Sequence, residues 1–171
     1  VSISITNLPN NTLSKWSDIS IFTNAGHEAT VSSKTYTGGC AAHYILGLSL
    51  IKKEKQGIVE IKNVSKKIKL FLKTLDEIIN EACAFLEPEN NLTFIGRGFS
   101  YSSANYAALI TAEASKLPSI GISGGQFRHG PIEMVGKDFS SVVFSGSKKN
   151  SDLNKKLIND IINFGGKCLV I

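Results

Sequence analysis

Glu113 and His129 carry a carboxylate and an imidazole, side chains able to move protons, and they stand sixteen positions apart. A carboxylate works as a general base, and an imidazole as acid or base near neutral pH. Plainer roles are open to both: an ordinary exposed helix glutamate, and a structural histidine beside the turn at Gly130-Pro131. A second group is Gly96-Arg97-Gly98 followed by Ser100 and Ser102. Glycines and hydroxyls at a helix start favour an anion. The same residues also make a tight strand-to-helix turn, with Arg97 paired to a nearby carboxylate. A third stretch, residues 28–37, is rich in hydroxyls, which suit a capped helix start. Cys40, Cys83 and Cys168 are scattered and match no metal-ligand spacing. They read as small buried hydrophobes and as reduced thiols of a cytoplasmic protein.

These groups need a scaffold, and the pattern supplies one. Strands are expected at residues 1–5, 19–22, 92–95, 119–122, 141–145 and 168–171. A buried helix is expected over 31–50, then a polar connection over 52–57. Apolar residues then recur at intervals of three and four from Val64 to Phe85, which predicts one long amphipathic helix ended by Pro88. Further helices are expected from Ser100 or Ser102 to about Lys116, and over 152–164, where Gly165-Gly166 stops the chain. Gly124-Gly125 marks a loop before residues 127–134. Strands alternating with helices predict a parallel sheet covered on both faces. With a rise of about 1.5 Å per residue, Glu113 lies roughly 17–20 Å along its helix from the loop at 100–102. One small molecule cannot span both.

Composition narrows the function class. With 42% apolar and 19% charged residues the chain is globular, and its net charge of +5 favours anionic ligands through the general field. The lysines at 52–55 and 66–67 read as a solvated helix face without interleaved aromatics, which argues against a nucleic-acid interface. No apolar run reaches eighteen residues, so no membrane span is expected. The chain opens and closes in strand patterns, at Val1 and Ile171, so it reads as an internal piece of a longer protein.

Phe94-Ile95-Gly96-Arg97-Gly98, then Tyr101, Ala107, Leu109 and Glu113, then Gly125-Gln126-Phe127-Arg128-His129-Gly130-Pro131, resemble the SIS (sugar isomerase) domain. The likeness is to the second SIS domain of glucosamine-fructose-6-phosphate aminotransferases and of their isomerase-only relatives. Ile3-Ser4-Ile5-Thr6-Asn7, Asn24-Ala25-Gly26-His27-Glu28 and Ser33-Lys34-Thr35-Tyr36-Thr37 resemble the second half of the first SIS domain. The resemblance implies a three-layer α/β/α sandwich, flavodoxin-like, with a parallel sheet. Residues 1–55 would be the end of one SIS domain, 56–90 a linker and long helix, and 91–171 the start of the next.

By the same resemblance Glu113 is the enolisation base and His129 the ring-opening residue, the latter reaching into a neighbouring subunit's site. Glu28, Val31 and Ser33 would line the sugar cleft, while Gly96, Arg97 and Ser100 would hold another anion. The implied ligand is a hexose 6-phosphate derivative, the implied partner a second copy, and no metal or cofactor is expected. The family's serine- and threonine-rich phosphate loop lies in a half of the first SIS domain that this chain lacks. Ile110 and Ala112 stand where the aminotransferases carry lysines, and no glutaminase domain is present. Isomerisation, deamination or deglycation therefore fits better than glutamine-dependent aminotransfer. A non-catalytic sugar-phosphate sensor is the competing reading.

Overall fold

A computed structural model describes residues 1–87, 91–146 and 148–171. Two compact units emerge, Val1–Leu75 and Asp76–Ile171.

In the first unit, strands β1 (Ile3–Thr6) and β2 (Ile19–Phe22) pair in parallel, from Ile3 opposite Ile19 to Thr6 opposite Phe22. A short helix, α1 (Thr12–Trp16), makes the crossover, and the Asn11 side chain caps it by accepting the Ser14 N–H at 2.9 Å. Helix α2 (Lys34–Leu50) packs on α3 (Glu54–Phe71). At Gly57 a Cβ would lie 2.9 Å from Leu48 Cδ1, so the glycine sets how closely the two helices approach.

The expected polar connection over 52–57 is cut short, because α3 begins at Glu54. The single long helix expected from Val64 to Phe85 is also two: α3 ends at Phe71 and α4 runs Leu75–Leu86. Between them the Lys73 and Thr74 N–H groups bond back to the Leu70 and Phe71 carbonyls in tight turns. Thr74 stands three residues before Glu77, a helix-start signature, and Asp76 and Glu77 suit the positive end of a new helix. Apolar periodicity continues across that break, which is why period alone does not reveal it. Pro88, the expected helix stop, lies outside the described residues.

The second unit holds a parallel sheet of order β4-β3-β5-β6, with β3 (Leu92–Gly96), β4 (Ser119–Ser123), β5 (Ser140–Phe144) and β6 (Lys167–Val170). Every residue of β3 is buried, as a central parallel strand requires. Alternate side chains enter opposite cores. Leu92, Phe94 and Val142 pack with Leu86 and with Ala104 and Ala108 of helix α5 (Ser100–Ser115). On the other face Ile95 and Val143 pack with Phe127, Phe139 and with Leu157 and Ile161 of helix α7 (Ser151–Asn163). That is the α/β/α layering the sequence pattern predicts.

Ala104 and Ala108, four apart, put a small-residue stripe of α5 against the strands. At Gly121 of β4 a Cβ would sit 2.4 Å from Asn105 Oδ1, so that approach also needs glycine. Ser100 and Ser102, expected as caps, do not cap: the N-cap is Phe99, without a side-chain bond. The expected loop after β4 contains a one-turn helix, α6 (Gly124–Phe127), capped by Ser123, whose Oγ accepts the Gln126 N–H at 3.2 Å. A 3-10 turn follows at Pro131–Met134.

Candidate active site

In the first unit the residues of interest follow the carboxyl ends of β1 and β2. Asn7 holds that edge: its Oδ1 accepts the Ala25 N–H at 2.7 Å, and its Nδ2 donates to the Gly26 carbonyl at 2.7 Å. This presents Glu28 to the start of α2. One carboxylate oxygen accepts the Ser33 N–H at 2.7 Å and that of Lys34; the other accepts the Thr35 N–H at 3.2 Å and the Thr35 hydroxyl. Glu28 thus supplies from a distance the cap that Ser33, at the N-cap, does not make. The Thr35 hydroxyl, then the backbone N–H groups, hold its carboxyl at about 2. Val31 is half-buried and Ser33 exposed at this helix start. Glu28, Val31 and Ser33 are therefore brought together around the end of α2, with the Glu28 oxygens already engaged.

In the second unit the turn at 96–100 follows β3. A Cβ on Gly96 would sit 2.2 Å from the Ser100 carbonyl oxygen, so no other residue fits there without moving the chain. Arg97 does not pair with a carboxylate, as its type allowed. Its Nη2 donates to the Gly124 carbonyl at 2.7 Å, and its guanidinium lies where a Gly124 side chain would project. Its Nε is buried with no hydrogen-bond partner among the described residues. Burial, then the neighbouring Arg128 guanidinium, pull Arg97 below the usual arginine range.

Beside this turn a cleft of about 420 Å³ is lined by Gly98, Phe99, Ser100, Gly146, Lys149 and Asn150. It lies beyond the carboxyl ends of adjacent strands β3 and β5, where the strand order reverses, the usual position of a crevice in an open α/β sheet. Phe99 is fully exposed at its rim.

Glu113 lies near the carboxyl end of α5, exposed, and its carboxylate has no hydrogen bond or ion pair among the described residues. His129 follows α6, also exposed, with its backbone N–H bonded to the Gln126 carbonyl at 2.9 Å. Helix α5 descends alongside the parallel strands, so Glu113 sits near the edge where β4 begins and His129 beyond the edge where it stops. Five residues of strand put about 16 Å between those edges. Within one chain the two groups face different ends of the sheet.

Two residues of the quoted motif, assigned no role from sequence, hold the His129 turn. Phe127 is fully buried, and Arg128 pairs with Asp160 of α7. The burial of Phe127 follows from its apolar type, whereas an ion pair between positions 128 and 160 leaves no mark in the order of residues. Among the described residues no cluster of three or more His, Cys, Asp or Glu is placed as metal ligands are, and no helix is long and apolar enough to cross a membrane.

Comparison with known proteins adds four findings. The SIS domain model matches residues 85–171. A glutamine-fructose-6-phosphate aminotransferase (isomerizing) of Leifsonia xyli subsp. xyli is 30% identical over 170 residues, covering 94% of this chain but only 27% of that protein. Among solved structures, the C-terminal domain of glucosamine-fructose-6-phosphate aminotransferase from Francisella tularensis superposes with a TM-score of 0.85 at 27% identity, covering 98% of this chain and 50% of that one. The tagatose-6-phosphate ketose/aldose isomerase of Escherichia coli superposes with a TM-score of 0.80 over 98% of this chain, at 19% identity, a likeness of fold alone.

Proposed function

Because this chain belongs to the SIS-domain family, we propose that it is part of an enzyme that binds a hexose 6-phosphate derivative and moves protons on it, as an isomerase, deaminase or deglycase. The observation that carries the reading is the state of Glu113. It is an exposed carboxylate without a partner among the described residues, on a helix whose opposite face is locked into the sheet by Ala104 and Ala108. A rigidly placed, unengaged carboxylate is what a general base requires. Glu113 transfers the proton between C1 and C2 of the open-chain sugar, and His129 assists ring opening. Such chemistry runs on side chains and needs no cofactor.

The two groups lie at opposite ends of one sheet, so the working site is shared by two copies of the chain. His129 of one copy approaches Glu113 of the other. Within the first unit, the loop at residues 28–33, where Glu28 fixes the start of α2 beside Val31 and Ser33, is a separate candidate sugar contact. The turn containing Gly96, Arg97 and Ser100 is too far along α5 to serve the same ligand and holds a separate anion. Ile110 and Ala112, in place of lysines, favour these simpler reactions over glutamine-dependent aminotransfer.

The test is Glu113→Gln in the full-length protein, assayed on fructose 6-phosphate and glucosamine 6-phosphate. Turnover falls by about a hundredfold or more while the sugar phosphate still raises the melting temperature. Turnover equal to that of the parent protein removes Glu113 from the reaction.

A further inference from the structure

The turn that presents His129 is held by the core beneath it, through Phe127, and by α7, through Arg128. Phe127 is 0% exposed, and it packs in the same core as Leu157 and Ile161 of that helix. One residue later, Arg128 reaches Asp160, the residue before Ile161 on α7, in an ion pair whose two side chains are each 35% exposed. His129 comes next, and Gly130 follows at φ +126°, a conformation reserved for glycine, which reverses the chain into Pro131. The imidazole thus sits at the free end of a short lever held by a buried ring and an ion pair.

Resting on the reading of His129 given above, we propose that Asp160 is a positioning residue: by holding Arg128 against α7 it sets where His129 points. The electrostatics of the surroundings support the assignment. Arg128 lies close enough to Arg97 for the two guanidiniums to repel, and Arg97 is itself fixed on the Gly124 carbonyl. Asp160 is the carboxylate that offsets this repulsion. Without it Arg128 swings away from Arg97, carrying the peptide that leads into His129, whereas Phe127 keeps the turn attached. The displacement is therefore local, and the fold survives it. A half-exposed ion pair adds little stability, so its role lies in geometry.

The experiment uses the full-length protein with Asp160→Asn, Asp160→Glu, His129→Asn and the double variant Asp160→Asn/His129→Asn, assayed on fructose 6-phosphate and glucosamine 6-phosphate. Misplacement of a catalytic group by about 1 Å costs up to about a hundredfold in rate. Asp160→Asn is expected to lower kcat by about tenfold to a hundredfold at little changed KM and melting temperature. Asp160→Glu is expected to restore most of the loss. The double variant is expected to be no slower than His129→Asn alone, since there is no imidazole left to aim. Losses that multiply in the double variant overturn the proposal, as does an Asp160→Asn protein that turns over like its parent. If His129→Asn is itself fully active, the catalytic reading of His129 fails, a result distinct from failure of the Asp160 assignment.

Discussion

At the scale of single residues, Glu28 is heavily engaged. Its carboxylate accepts hydrogen bonds from Ser33, Lys34 and Thr35 at the start of α2, and its pKa falls from the ordinary 4.5 to about 2. The bonds favour the ionised form, so the stabilisation is fully present above pH 4.5 and disappears as pH falls toward 2. Glu28→Gln is therefore expected to melt below the parent at neutral pH. The gap should close as both are melted at successively lower pH through that window. A gap that stays constant with pH would mean that the charge of Glu28 has no part in holding α2. Residue types already pointed to this region, since hydroxyls crowd positions 30–37. What they left open was how Glu28 is held, and its hydrogen bonds run to the start of α2.

At the scale of elements, α7 and the turn after β4 act as one piece. Phe127 is the wedge between them, fully buried against Phe139 with ring centroids 5.8 Å apart. Phe127→Ala removes a buried aromatic side chain from a closed core and is expected to cost about 3–5 kcal/mol, read as a shift in the urea midpoint. A loss below about 1 kcal/mol would show that the core collapses around the vacancy, and that the turn is not held there. Legibility varied element by element for physical reasons. β3 announced itself as a mostly apolar run bounded by a glycine, because a strand buried on both faces has room for few polar side chains, here Thr93 alone. The split of α3 from α4 was marked by Thr74 and Glu77 rather than by hydrophobicity, since both helices keep an apolar stripe across the break. α1 is five residues long, too short for a periodic signal to develop.

At the scale of the molecule, the decisive fact is that Glu113 and His129 lie at opposite ends of one parallel sheet. A site built from both requires two copies, and the requirement can be tested by complementation. Full-length chains carrying Glu113→Gln are mixed with chains carrying His129→Asn under conditions that exchange subunits. Each inactive alone, they should recover about a quarter of parental turnover by random pairing, because one site in each mixed dimer keeps both groups. No recovery, with exchange demonstrated by differently tagged copies, would mean that the two residues do not share a site across a dimer. Full-length protein is essential to this test, because the chain spans only 27% of the Leifsonia relative it matches.

Residue order alone determined the class of fold and the two candidate groups. Strand and helix periods are local properties, and the stretch from Phe94 to Pro131 carries its motif in short pieces close together in sequence. The tertiary structure decided how those pieces meet. It gave Arg97 a backbone carbonyl instead of a carboxylate, turned Glu28 onto its own helix, paired Arg128 with Asp160, and set Glu113 and His129 at different sheet edges. Each of these depends on which side chains the crossovers bring within a few ångströms, a distance that separation along the chain does not encode.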